Sequence, residues 1–184
     1  MKTIELRRHS LRGEGKGLSA EGVELAKKAS SDLLDSYARV IASEKQRTQE
    51  TAEAFGFSKC EVDERFSTIG LEAGDPAEAK AAQLREGRGL SILESWLAVP
   101  EAVEAIRPQA HAYWAAVLEV ARDLEEGEAA LIVSHGGAIE PAIMAGTGKW
   151  SLDVLGGELE CCEGVRLRFE GGQLKEVDVR RLDR

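Results

Sequence analysis

The segment AALIVS at residues 129–134 constrains the fold more than any other stretch of the chain. It is an uninterrupted apolar run, where a half-exposed strand would alternate with polar residues, so it reads as a central strand covered on both faces. A sheet with such a strand needs helices on two sides. The rest of the sequence supplies them in alternation with further strands.

Residues 2–7 place Ile4 and Leu6 at alternate positions and predict a first strand. Leu18-Ser19 supplies a hydrophobic staple and an N-cap, opening a helix over 20–35 with Val23, Ala26, Ala29 and Leu33 on one face. Residues 38–42, ARVIA, form a short buried strand. The helix EKQRTQETAEAF follows, with Thr48, Thr51, Ala52 and Phe55 at helical spacing and Gly56 as its stop. Residues 61–65 form a third, shorter strand. Pro108 suits the first turn of a long helix carrying Tyr113, Val117, Val120, Ala121 and Leu124. The tail alternates as GVRLRF, turns at Gly171-Gly172 and returns as LKEVDVRRL, a β-hairpin. The expectation is an α/β chain, a three-layer α/β/α sandwich on a mostly parallel sheet. Residues 70–106 fit this alternation least. Leu90, Ile92, Leu93, Trp96 and Leu97 need burial there, which predicts an inserted lid or substrate-specificity region within a single domain spanning 1–184.

A net charge of −9 argues against general nucleic-acid affinity, because a phosphate backbone selects basic surfaces. No apolar run approaches the roughly 18–20 residues that span a bilayer, and no apolar signal segment opens the chain. The three cysteines, Cys60, Cys161 and Cys162, make a poor disulfide framework, which favours a reducing cytoplasm. Without CxxC or HExxH, nothing calls for a metal, and no cofactor is implied.

Three familiar patterns fail. Gly13, Gly15 and Gly17 in RGEGKGL fall on alternate positions and miss the last glycine of GxGxxG. The GK pair at 148–149 has Ile143 where a P-loop opens with glycine and Trp150 after the lysine. GxSxG is absent, which disfavours a serine hydrolase.

The constellation that remains is local. In open α/β folds the ligand sits beyond the carboxyl ends of the strands. Arg8 and His9 leave the first strand, His135 leaves the most apolar one, and Arg47 lies in the first helical turn after the second. Two histidines and two arginines on one rim suit a phosphoryl group. Guanidinium forks grip its oxygens, and a neutral imidazole attacks phosphorus. Backbone N–H groups around Ser10, and the helix opening at Gly136, add donors for the anion. Arg7 alternates to the opposite side, and His111 sits in a helical stretch with no partner motif.

Four segments in this order resemble the histidine phosphatase superfamily, the phosphoglycerate mutase-like family. LRRHS resembles its Arg-His-Gly signature, LSAEG its Leu-Thr-x-x-Gly helix opening, SEKQRTQETA its Ser-Pro-x-x-Arg-Ala-x-x-Thr-Ala segment, and LIVSHGG its second-histidine motif. The resemblance implies His9 as the nucleophile that becomes phosphohistidine. It implies Arg8 and Arg47 as the phosphoryl clamp, and His135 as a partner of the same oxygens. The substrate class is then a small phosphorylated molecule or a phosphoprotein.

Three departures stand out. Ser10 replaces the family's glycine after the nucleophile, and Gly15 stands where mutase-type relatives have asparagine. The general acid is the larger difficulty, because the family's glutamate position is Thr68. Glu72, in the loop sequence GLEAG, is preferred over Glu64. Without an acid the site suits good leaving groups such as acyl phosphates or phosphoramidates. The expected activity is a metal-independent phosphatase. The alternatives are a mutase, a protein phosphohistidine phosphatase, or a catalytically idle phospho-ligand binder.

Overall fold

A computed structural model describes residues 1–182. The elements run β1 (Lys2–Arg8), α1 (Ala20–Ala29), β2 (Arg39–Ala42), α2 (Gln46–Ala54), β3 (Glu61–Val62), α3 (Pro76–Arg88), α4 (Ile92–Leu97), α5 (Pro100–Asp123), β4 (Ala129–Ser134), α6 (Ile139–Thr147), β5 (Gly164–Glu170) and β6 (Gln173–Arg180). The sheet order is β3-β2-β4-β1-β5-β6. The first four strands in that order are parallel; β5 and β6 are antiparallel additions beside β1.

Every residue of β4 is buried, as its composition requires. Its side chains alternate between two layers. Ala130 and Ile132 join Ile4, Leu6, Ile41 and the buried faces of α3, α4, α5 and α6. Leu131 and Val133 join Ala26 and Ala29 of α1 and Ala52 of α2 on the other side. These two apolar layers make the three-layer sandwich. Among the described residues no helix is long and apolar enough to cross a membrane.

Local signals account for most element ends. Ser19 caps α1, its Oγ accepting from the Gly22 N–H at 3.0 Å. The helix stops at Ala29, short of the expected 35, because the Ser30 and Ser31 hydroxyls turn back onto the carbonyls of Lys27 and Lys28. A 3-10 turn, Ser30–Asp32, follows and delivers Asp32 to Arg7 and Arg180. Gly171 and Gly172 have φ of 56° and 75°, the left-handed pair that a two-residue hairpin needs between β5 and β6.

Two expectations are corrected. The long helix begins at Pro100, and Pro108 lies in its interior. Both prolines fit a first turn. Pro108 is exposed, as is Glu104 four residues earlier, so the backbone bond that proline removes lies on the solvent face of the helix, where its loss is cheapest. The expected third strand is also shorter. It ends at Val62, and Glu64–Phe66 form a 3-10 turn that buries Phe66. Segment 70–106 folds into α3, α4 and the start of α5. Its Ala77, Ala81, Leu93, Trp96, Val99, Ala102 and Ile106 belong to the same apolar layer as Ile4 and Leu6. The boundary at 106 therefore falls within a continuous helix.

Candidate functional site

The parallel register brings the site together. Arg8 pairs with Ser134 at the ends of β1 and β4, and Ala42 pairs with Val133 at the end of β2. The next residues, His9, His135 and Ser43, therefore leave the sheet side by side. Backbone bonds tie them, from His9 N–H to the Ser134 carbonyl at 2.8 Å and from Ser43 N–H to the Val133 carbonyl at 3.2 Å. The two imidazoles meet edge to face with centroids 5.3 Å apart.

Hydrogen bonding fixes the protons on both rings. His9 Nδ1 lies 2.7 Å from the Ser10 carbonyl, an oxygen that only accepts, so Nδ1 carries the hydrogen and the neutral ring keeps its lone pair on Nε2. His135 Nδ1 lies 3.1 Å from Arg47 Nη2, which only donates, so the His135 hydrogen is on Nε2 and points to Ser43 Oγ at 2.8 Å. Ser43 Oγ is in turn 3.0 Å from Thr48 Oγ1.

Electrostatics keep both rings neutral. Burial is the largest cause, and the nearby cations add to it. His9 is pushed down to about 4 by burial and by Arg47, Arg8 and Arg12, against the Ser10 bond. His135 is pushed down to about 3 by burial, Arg47 and His9. A stability prediction follows. Between pH 6.5, the ordinary histidine value, and about 4, the unfolded chain takes up a proton at His9 that the folded chain refuses, so stability falls as pH drops through that window. The difference for His9 amounts to about 3 kcal/mol. Urea midpoints measured across the window should decline with falling pH, and His9→Gln should flatten the slope.

Both guanidiniums hold donors in reserve. Arg8 Nη1 donates to the Leu159 carbonyl at 2.5 Å, while its Nε is buried with no hydrogen-bond partner among the described residues. Arg47 Nε is in the same condition. Buried unpaired N–H groups are uncommon, and two flanking one histidine mark a place for an anion. Arg8 also borders a cleft of about 650 Å³ walled by Leu11, Leu25, Lys28, Cys161 and Arg181; neither histidine lines it.

Gly136 abuts the Arg8 side chain, and a Cβ there would lie 2.8 Å from its Cδ, Nε and Cζ. Gly136→Ala should displace the guanidinium while leaving the fold intact. We expect thermal stability within about 1 kcal/mol of the parent, with kcat/KM down about 10-fold or more. Differential scanning fluorimetry beside steady-state kinetics measures both.

The remaining expected residues are placed differently. Ser10 is fully buried, its N–H donating to Thr51 Oγ1 at 3.0 Å and its hydroxyl to the Gly22 carbonyl at 2.6 Å, so its polar groups brace the loop. Glu72 is exposed in a turn, and its carboxyl makes no hydrogen bond among the described residues. Glu64 is exposed as well. Neither is joined to the polar contacts of the two histidines.

Four further residues enter the site. Ser43 orients His135, and Arg12 adds its charge to the fields on His9 and Arg47. Glu140 is fully buried in α6, accepting from the N–H of Gly137 at 2.7 Å and of Leu159 at 3.0 Å, and so orders the loop after His135. Glu44, between Ser43 and Arg47, acts electrostatically on His135 and Arg47. Ser43 and Glu44 lie inside the segment SEKQRTQETA, so a carboxylate beside the clamp was visible there.

The chain is similar to a phosphoserine phosphatase from Entamoeba histolytica crystallised with 3-phosphoglyceric acid, with TM-score 0.70 and 16% identity over 99% of this chain and 98% of that one. A mycobacterial glucosyl-3-phosphoglycerate phosphatase in complex with VO3 has TM-score 0.71 and 20% identity, covering 97% and 98% of the two chains. Bacillus stearothermophilus YhfR has TM-score 0.66 and 21% identity, covering 97% and 96%. At these identities the likeness is one of fold. A search of curated proteins finds no match. The model of the histidine phosphatase superfamily (branch 1) matches residues 7–180, and the chain belongs to that family.

Proposed function

We propose that this chain is a phosphatase that hydrolyses a small phosphorylated substrate, without a metal, through a phosphohistidine on His9. The observation that carries the reading is the His9 Nε2 lone pair, left free by the Nδ1–H bond to Ser10, in the field of two guanidiniums with unpaired Nε donors. A neutral imidazole of this kind attacks phosphorus in line, and the arginines neutralise charge on the phosphoryl oxygens as it passes. His135, neutral and held by Ser43, accepts from Arg47 Nη2 through Nδ1 and so steadies that guanidinium, whose other N–H groups are left for the anion.

The names of two similar structures, a phosphoserine phosphatase and a glucosyl-3-phosphoglycerate phosphatase, support a phosphate ester as the substrate class. Gly15, where mutase-type relatives carry asparagine, favours hydrolysis over transfer to a second ester. The test is a panel of phosphometabolites assayed for phosphate release with and without EDTA. Release that EDTA leaves unchanged supports the reading. A site that binds phosphate yet turns over no ester on the panel, p-nitrophenyl phosphate included, would instead be an idle binder.

A further inference from the structure

Hydrolysis of a phosphohistidine needs a carboxylate beside the phosphoryl group to take the proton of the attacking water, and most of the nearby carboxylates are not placed for it. Glu140 is fully buried with both oxygens committed to backbone N–H groups. Glu72 and Glu64 make no hydrogen bond to either histidine among the described residues, and Thr68 carries no acid. Glu44 differs from all of these. It follows Ser43, the residue that holds His135, and precedes Arg47 by three positions. Its Oε1 accepts from Ser67 Oγ at 2.8 Å and pairs with Lys45 Nζ at 2.7 Å. Its Oε2 is buried and has no hydrogen-bond partner among the described residues. One oxygen is thus anchored and the other is unspent, beside two of the groups proposed to hold the phosphoryl.

Resting on the phosphohistidine reading, we infer that Glu44 is the proton acceptor of the second half-reaction, and that the preferred substrates are phosphoryl donors with a weakly basic leaving oxygen, such as aryl, enol or acyl phosphates. In the first step His9 Nε2 forms a bond to phosphorus, and the P–O bond breaks with its electron pair on the leaving oxygen. In the second, the oxygen of a water bonds to phosphorus as its proton passes to Glu44 Oε2. The P–N bond breaks and its pair returns to His9 Nε2. Inorganic phosphate departs, and Glu44 returns its proton to solvent.

The charge state of Glu44 suits acceptance rather than donation. Burial pushes its carboxyl up, but the bonds from Lys45 and Ser67 outweigh burial and hold it below the ordinary value. A carboxylate already ionised before substrate arrives has no proton for an alkoxide. The substrate preference follows from Thr68 at the acid position and from Glu72 and Glu64 lying outside the histidines' hydrogen bonds, because a leaving group expelled without an acid has to be stable as an anion.

Glu44→Gln is near-isosteric and keeps an oxygen for Ser67. With p-nitrophenyl phosphate under rapid mixing, we expect this variant to retain the burst of p-nitrophenolate. Its steady-state rate should fall about 10²-fold or more, with phosphohistidine accumulating. The parent should favour p-nitrophenyl and acetyl phosphate over phosphoserine and glycerol phosphate by about 10²-fold or more in kcat/KM. Equal loss of burst and steady-state rates in Glu44→Gln would make the residue a proton donor and overturn the inference. So would an unchanged steady state, or alkyl phosphates turned over as fast as aryl ones. If the parent itself forms no phosphoenzyme, the phosphohistidine reading fails, a result separable from all of these.

Discussion

His9→Ala should abolish turnover, lowering kcat by about 10⁴-fold or more, the scale seen when a covalent nucleophile is removed from an otherwise intact site. The loss is expected to be this large because His135 is no substitute. Its Nδ1 lone pair already takes a hydrogen bond from Arg47, and its Nε2 proton is committed to Ser43, so the ring has no free lone pair for phosphorus. Radiolabelled substrate quenched in alkali should leave an acid-labile label on the parent and none on the variant. A labelled His9→Ala protein with parental kinetics would remove His9 from the mechanism. Phosphate binding should survive the substitution, since Arg8 and Arg47 remain.

The largest stability effect should come from the opposite face of the same strand. Glu5 and Arg7 are fully buried and paired, with Arg7 Nε donating to Glu5 Oε1 at 2.7 Å. Arg166 Nε and the Tyr37 hydroxyl each donate to Glu5 Oε2 at 2.7 Å. The carboxylate thus pairs with two guanidiniums inside the protein, and it raises the Tyr37 phenol in addition to the rise caused by burial. Glu5→Ala leaves Arg166 without its ion pair and Arg7 with Asp32 alone, and should cost about 3–5 kcal/mol. Urea denaturation monitored by tryptophan fluorescence measures it. A loss below 1 kcal/mol would show that the arginines find other partners, with Asp32 the first to consider because it already binds Arg7.

Much of this architecture was legible in the sequence because single residues dictated it. The apolar run of β4, the Ser19 cap and the Gly171-Gly172 turn each admit one reading. Segment 70–106 did not. Its helices are short, α3 buries little beyond Ala77 and Ala81, and apolar spacing is a weak signal there. A usable mark was present, since Ser91 and Glu94 form a capping box at the start of α4. Pro100 and Pro108 satisfied the same rule, and only packing chose between them. At the site, the strand-end rule grouped Arg8, His9, Arg47 and His135, which the structure places together. It said nothing about where carboxylates point. In the sequence a loop near the rim favours Glu72, whereas Glu44 is the carboxylate that acts electrostatically on His135 and Arg47.

The position of β1 in the middle of the sheet also sets when the site can exist. Its neighbours are β4, which ends at Ser134, and β5, which ends at Glu170. During synthesis, β1 emerges before both of its partners, which lie more than a hundred residues downstream. Pairing at that separation is slow, and the apolar strand is exposed to wrong contacts until it closes. Chains interrupted before β4 lack His135 and the Ser134 carbonyl that binds His9, so activity should be among the last properties a nascent chain acquires, appearing together with the central pairing.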